Sequence, residues 1–339
     1  MKLHALLIGV DATPDRPLYG CVHDVDAVQR LVLDPRLGLP VHVTRLVSPQ
    51  PGAVHDTAIA GAPATLAAIR AALAHLASDA IAADDRVFVY FSGHGARVPV
   101  PKDAPELYRE ALIPVDLEAD KPDGAYRLLF DDELNARLAA IARRTRGVTV
   151  VLDCCFAAGA TRGAAPAGAG RARFVDLREH ANACDMRAPD AEHRPLASGV
   201  DDCHVIAACL NHELASERPD ARGITRGVLT QAVATAIAGA LATGGDRPLA
   251  ALTWAEIWQA VRAEVAAQPS GQHPWMAGNP ARRVFGGPPV HGDAGVPVAR
   301  AGDAYTVEAG TLAGVTRGAE LAVYGHQPAY FPALGAARD

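Results

Sequence analysis

Two apolar runs of this chain each end on a reactive side chain. The run Val87–Phe91 breaks into Ser92-Gly93-His94-Gly95, and the run Val148–Leu152 breaks into Asp153-Cys154-Cys155. A cysteine attacks a carbonyl as its thiolate, and a neighbouring imidazole is a common base for producing it. Glycines on both sides of a histidine clear space for an approaching substrate backbone. They also leave the Gly95 N–H free to face a developing oxyanion. Singly, a strand-end histidine or a lone cysteine is ordinary packing. At the ends of two strands of one sheet they read together as a Cys–His peptidase site, because open α/β sheets build their sites at the carboxyl edge.

The elements that must position these residues follow from hydrophobic period. Strands are expected over 4–9, 41–47, 86–92, 147–155 and 203–209, and helices over 24–33, 63–82, 131–144, 226–241 and 253–267. The strands are continuously apolar, which calls for burial on both faces. The fold class is therefore α/β, with a mostly parallel central sheet flanked by helices on both faces. Residues 162–199, rich in Gly, Ala, Pro and Arg, are expected to form a long exposed loop, since a loop of this length in a compact domain is usually functional or disordered. The division expected is a peptidase domain over 1–286 and a linker with a small β-rich extension over 287–339.

Composition narrows the function classes. The 339 residues are 50% hydrophobic and 21% charged, with a net charge of -6, and no basic tract stands out, so a nucleic-acid partner is not expected. No apolar run is long enough to span a membrane. The opening MKLHALLIGVD reads as a first strand rather than a signal peptide, so a cytoplasmic protein is expected. The six cysteines, Cys21, Cys154, Cys155, Cys184, Cys203 and Cys209, form no CxxC pair, which disfavours a zinc knuckle. A reducing compartment disfavours disulfides, and Cys21, Cys203 and Cys209 read as small core residues. A nucleotide-binding domain is disfavoured because neither GxGxxG nor a P-loop is present.

The segments LLIGVD, LYGCVHDVDAVQRLV, VFVYFSGHG and VTVVLDCCFAAGATR resemble the caspase-like cysteine peptidases, specifically the metacaspases and their bacterial relatives. Later pieces, HVIAACLNHELASE, RGVLTQAV and QHPWMAGNPARRVFG, fit as well, so the resemblance spans about residues 1–286. It implies the caspase (caspase-hemoglobinase) fold, with Cys155 rather than Cys154 as nucleophile and His94 as base. It also implies an oxyanion hole from the N–H groups of Gly95 and Cys155. The matching specificity-pocket positions are Asp24, Ser92 and Asp153, an acidic set suited to Arg or Lys at P1, the substrate residue before the cut bond. By their residue types alone, Asp24 is also a helix cap and Asp153 a strand-end acid.

The chain also departs from the family pattern. Phe156-Ala157-Ala158 replaces the His-Ser-Gly that usually follows the nucleophile. Many metacaspases hold calcium, and Asp131 and Asp132 match part of that site. Arg109 and Arg162 stand where further acids are expected, and a guanidinium offers calcium no oxygen. The expectation is thus no cofactor, with Asp131 and Asp132 as residual calcium candidates. The implied activity is cleavage after Arg or Lys of protein or peptide substrates by a monomer that engages no membrane. Self-processing is expected in the 162–199 loop, after one of Arg162, Arg171, Arg173, Arg178, Arg187 or Arg194. The alternative is a catalytically silent caspase-like module with a binding or regulatory role, which the altered CFAAG favours.

Overall fold

The computed structural model describes residues 1–13, 16–53, 55, 59–99, 108–117, 126–155, 170–177, 203–210, 213–243, 248–288, 298–302, 304–307 and 318. Contacts divide the chain into two compact units, Met1–Pro288 and Pro289–Asp339. In the first unit the strands are β1 (Leu3–Val10), β2 (Val41–Ser48), β3 (Arg86–Ser92), β4 (Gly95–Pro99), β5 (Tyr108–Leu112), β6 (Leu129–Phe130) and β7 (Val148–Asp153). They continue with β8 (Arg171–Ala172), β9 (Phe174–Asp176), β10 (Cys203–Ala207), β11 (Ser216–Pro219), β12 (Thr225–Gly227) and β13 (Trp275–Ala277). The helices are α1 (Cys21–Val32), α2 (Leu66–Leu76), α3 (Asp131–Ala142), α4 (Val228–Thr243) and α5 (Trp254–Ala266). The second unit contains a hairpin of β14 (Val298–Ala301) and β15 (Ala304–Val307).

The central sheet runs β13-β10-β7-β3-β1-β2 and is parallel except at β13. Alternation along each strand explains its two-sided burial. Leu3, Ala5 and Leu7 of β1 and Phe88 and Tyr90 of β3 enter one core with side chains of α1, α4 and α5. Leu6, Ile8, Val89 and Phe91 enter the opposite core with α2 and α3. Just past the end of β7 the same alternation separates the adjacent thiols: Cys155 belongs to the first core and Cys154 to the second. Both are fully buried.

Helix starts are set by groups remote in sequence as well as by local ones. The Asp11 carboxylate at the end of β1 accepts hydrogen bonds from the Cys21 and Val22 N–H groups, so α1 begins at Cys21, earlier than its apolar period suggests. Conversely, α2 is shorter than the expected 63–82. Pro63 precedes its start, and the Thr65 side chain caps it by accepting from the Ala68 N–H.

Beyond the carboxyl edge of the sheet lie two small sheets that hydrophobic period does not announce, ordered β6-β5-β4-β9 and β12-β11-β8. They correct the expected exposed loop over 162–199. Residues 171–172 and 174–176 of that stretch are strands, and the Arg173 side chain between them is completely buried. The physical reason is pairing over long sequence distance. β8 joins β11 in antiparallel fashion, and β9 joins β4 in parallel fashion. Arg162, Arg178, Arg187, Arg194 and Phe156-Ala157-Ala158 lie outside the described residues.

Candidate active site

Parallel pairing of β3 with β7 sets Ser92 directly opposite Asp153, so the two strands end side by side. The residues after them, His94 and Cys155, are both buried. The His94 Nε2–H donates to the Arg16 carbonyl at 2.7 Å, while Nδ1 has no hydrogen-bond partner. Nδ1 is therefore the nitrogen left to accept a proton. Burial first, and then the charges of Arg173 and Arg16, push the His94 pKa down to about 4, which keeps the ring neutral near pH 7. Cys154, on the other face, has its thiol pKa pushed well up by apolar burial.

Asp24, near the start of α1, meets Ser92 and Asp153 in one pocket. The Ser92 hydroxyl donates to Asp24 Oδ2 at 2.8 Å, and the Gly227 N–H donates to Asp24 at 3.0 and 3.1 Å. Asp153 is held from α4, where the Thr230 N–H and hydroxyl donate to its Oδ2 at 3.0 and 2.5 Å. Tyr90 extends this chain through its hydroxyl, 2.5 Å from the Thr230 Oγ1. A side chain at position 227 would strike Asp153 and the guanidinium beside it, so only glycine lets this wall approach so closely. Burial, with Asp153 alongside, pushes the Asp24 pKa up to about 7 even against the pull of a neighbouring arginine. Such a pocket calls for a cationic guest.

That guest is Arg173. Its Nη2 donates to Asp24 Oδ2 at 2.7 Å, and its Nη1 lies 2.9 Å from the Ser92 hydroxyl and 3.0 Å from both the Asp153 carbonyl and Asp153 Oδ1. A third carboxylate, Glu217, stands 3.6 Å from Nη2. The main chain of Arg173 is equally engaged. Its carbonyl accepts from the Gly95 N–H at 3.1 Å and the Cys155 N–H at 3.4 Å, and its own N–H donates to the Ala215 carbonyl at 2.9 Å. One residue thus fills the acidic pocket with its side chain and touches both expected oxyanion donors with its carbonyl.

Sequence reasoning named Asp24, Ser92, His94, Gly95, Asp153 and Cys155, and the fold gathers all six around Arg173. It placed Arg173 among several loop arginines without singling it out. It missed Glu217, Gly227, Thr230 and Tyr90. Each of these is an ordinary residue in an ordinary segment, linked to the pocket only through tertiary pairing.

The calcium candidates sit elsewhere, at the start of α3. Both oxygens of Asp132 engage Arg109 Nη2, at 2.5 and 2.6 Å, and this guanidinium also lies over the Phe130 ring at 3.8 Å. Asp132 is thus paired with a fixed cation, while burial and then the charge of Glu110 push the pKa of Asp131 up to about 7. Asp11, Cys21 and Glu217 also converge within 4.8 Å, but both carboxylates there are engaged by N–H groups at the start of α1.

A parallel sheet covered on both faces, with histidine and cysteine at adjoining strand ends beside an acidic pocket, defines a caspase-like α/β domain. The chain belongs to the caspase domain family, which it matches over residues 2–285. It is 30% identical over 158 residues to Metacaspase-5 of Trypanosoma cruzi (strain CL Brener), a match covering 46% of this chain and 33% of that protein. It is 28% identical over 161 residues to Metacaspase-9 and 29% over 162 to Metacaspase-6, both of Arabidopsis thaliana. Those matches cover 47% of this chain and 44% and 39% of the relatives, so the chain spans less than half the length of these relatives. In fold it is similar to the crystal structure of a Geobacter sulfurreducens protein, with a TM-score of 0.52 and 21% identity over 83% of this chain and 95% of that one.

Proposed function

We propose that this chain is a cysteine endopeptidase that cleaves after arginine, and more slowly after lysine, and that its own Arg173–Phe174 bond is its first substrate. The observation that carries this reading is the seat of Arg173, with the guanidinium in the acidic pocket and the carbonyl on two convergent N–H groups. In the reaction His94 Nδ1 takes the Cys155 proton, and the thiolate attacks the Arg173 carbonyl carbon. The Gly95 and Cys155 N–H groups hold the resulting oxyanion. His94 then returns the proton to the Phe174 nitrogen as the peptide bond breaks, and water hydrolyses the thioester.

Arginine is favoured because its two terminal nitrogens engage different acids, Asp24 and Asp153. The point charge of a lysine cannot reproduce that fork. An aspartate would meet only like charge. The preference for arginine is tested with peptides varied at P1. The expected order is Arg above Lys, with Asp uncut, and Asp153→Ala should cost on the order of 2–5 kcal/mol in kcat/KM for Arg. Efficient cleavage after Asp would refute it.

No calcium is needed in this account, because Arg109 holds Asp132. The enzyme acts as a monomer on protein or peptide substrates, in the reducing cytoplasm where Cys155 stays a thiol. The filled pocket also suits a silent module, permanently occluded by its own segment. The same peptides separate the two readings, since a silent module cuts none of them.

A further inference from the structure

At the sheet edge opposite the active site, two guanidiniums stand together without an acid. Arg86 opens β3 and is buried. Arg283 lies in the segment after β13, which Val284 and Phe285 anchor in the core with α1, α4 and α5. This segment crosses the starts of β3 and β7. The Arg283 carbonyl accepts from the Thr149 hydroxyl at 3.5 Å, and a side chain at 286 would strike the Gly147 carbonyl and meet that of Val87. Gly286 also adopts a φ of 74°, so glycine serves there on both counts.

The two guanidiniums converge beside Gly287. A Cβ at that position would stand 3.1 Å from Arg86 Nε and 3.5 Å from Arg283 Nη1, and glycine keeps the space between them clear of a side chain. The Nε–H groups of both arginines are buried and have no hydrogen-bond partner. Arg86 Nη1 donates to the Ala250 carbonyl at 2.7 Å, whereas the Arg283 side chain makes no hydrogen bond or ion pair among the described residues. Arg282 brings a third cation, its Nη1 donating to the Gly287 carbonyl at 3.4 Å. Asp85, next to Arg86 in sequence, spends its carboxylate on the Lys2 N–H and the His4 ring. Burial first, and then the charge of Arg283, push the Arg86 pKa down to about 10, so it is still a cation near pH 7. The buried arginines Arg45 and Arg173, by contrast, each meet a carboxylate. Buried like charges without a counter-charge are costly, and an anion between them removes that cost.

We infer that Arg86 and Arg283, beside Gly287, form a binding site for a phosphate group at the amino-terminal edge of the central sheet. A tetrahedral dianion matches the charge of both guanidiniums and offers an edge of oxygens to each fork, whereas a carboxylate balances one cation and presents one edge. The site is separate from the catalytic edge, because the length of β3, roughly 20 Å, lies between Arg86 and Ser92. It requires nothing of the peptidase reading. A bound phosphate would tie the segment after β13 to the start of β3, so occupancy raises the stability of the folded chain.

The test is thermal unfolding of the full-length Cys155→Ala protein, which stays whole whether or not the wild type cuts itself. Its Tm is compared in about 10 mM sodium phosphate and in sodium chloride of equal ionic strength. For millimolar affinity the expected rise in phosphate is about 2–4 °C. The same comparison on Arg283→Gln, made in the same background, should show no rise. Exclusion of phosphate from the protein surface acts on both chains alike, so the difference between them isolates the site. Arg86→Gln should lose the response as well, and if it fails to fold, Arg283→Gln still decides, since that side chain gives up no bond. O-phosphoserine in place of phosphate identifies the source. An equal rise supports a site that accepts phosphate esters, and a rise with inorganic phosphate alone supports one that closes around the free ion. Equal Tm values in phosphate and chloride, or a rise that survives Arg283→Gln, overturn the proposal.

Discussion

Two adjacent cysteines differ in everything but chemistry. Cys155 enters the core made with α1, α4 and α5, and its N–H bonds the Arg173 carbonyl, whereas Cys154 points into the core made with α2 and α3. Cys155→Ala should therefore abolish hydrolysis of an arginine peptide. Cys154→Ala should keep most of it and lose about 1–3 kcal/mol of stability, as expected for a buried thiol exchanged for a methyl group. Steady-state rates and a denaturant titration read the two effects apart. The assignment is wrong if Cys154→Ala is the inactive variant.

Among elements, the junction of β5 and α3 is where the proposal about calcium can be tested. Arg109 on β5 holds both oxygens of Asp132 on α3, so activity should be the same in excess EGTA as in added calcium. A titration that finds strict calcium dependence would show that this ion pair opens to admit the metal. β10 carries a different liability. His204 is fully buried beside the Trp254 ring at 6.0 Å, close to Gly278 and the Cys203 carbonyl, and neither ring nitrogen has a partner. Burial first, and then the charge of Arg282, push its pKa from 6.5 down to about 4. Between those values the unfolded chain binds the extra proton, so stability falls with falling pH, by at most about 1.4 kcal/mol per unit. His204→Phe should therefore lose less Tm than wild type between pH 7 and 4.5. Parallel Tm curves would contradict the argument.

The long apolar elements were legible in the sequence because each carries its own signal. All eight residues of β1 and all seven of β3 are buried, and such strands show as unbroken apolar runs. His94 and Cys155 were legible because glycines and a twin cysteine end those runs. β8 and β9 were not, because strands of two and three residues have no period to detect. Their conformation comes from partners in β11 and β4, and Arg173 is buried only because three acids distant in sequence surround it. A Gly-, Ala- and Arg-rich segment is soluble by composition, and no local pattern shows that one of its arginines is enclosed.

For the molecule as a whole, the central claim is that it binds its own chain as a substrate. The cut predicted at Arg173–Phe174 would leave β1, β3 and β7 in the first piece and β10 and β13 in the second. The two pieces should stay together, because β10 and β7 pair in register from Cys203 opposite Val148 to Ala207 opposite Leu152. The pairing of β9 with β4 ties the new amino terminus to the first piece as well. Among the described residues no helix is long and apolar enough to cross a membrane. The most direct measurement is intact mass and amino-terminal sequencing of purified wild type, Cys155→Ala and Arg173→Ala. The account predicts two co-eluting wild-type pieces, the second beginning at Phe174, and an uncut chain in both variants. A wild type that stays whole while it cuts arginine peptides, or a Cys155→Ala protein nicked at the same bond, would contradict it.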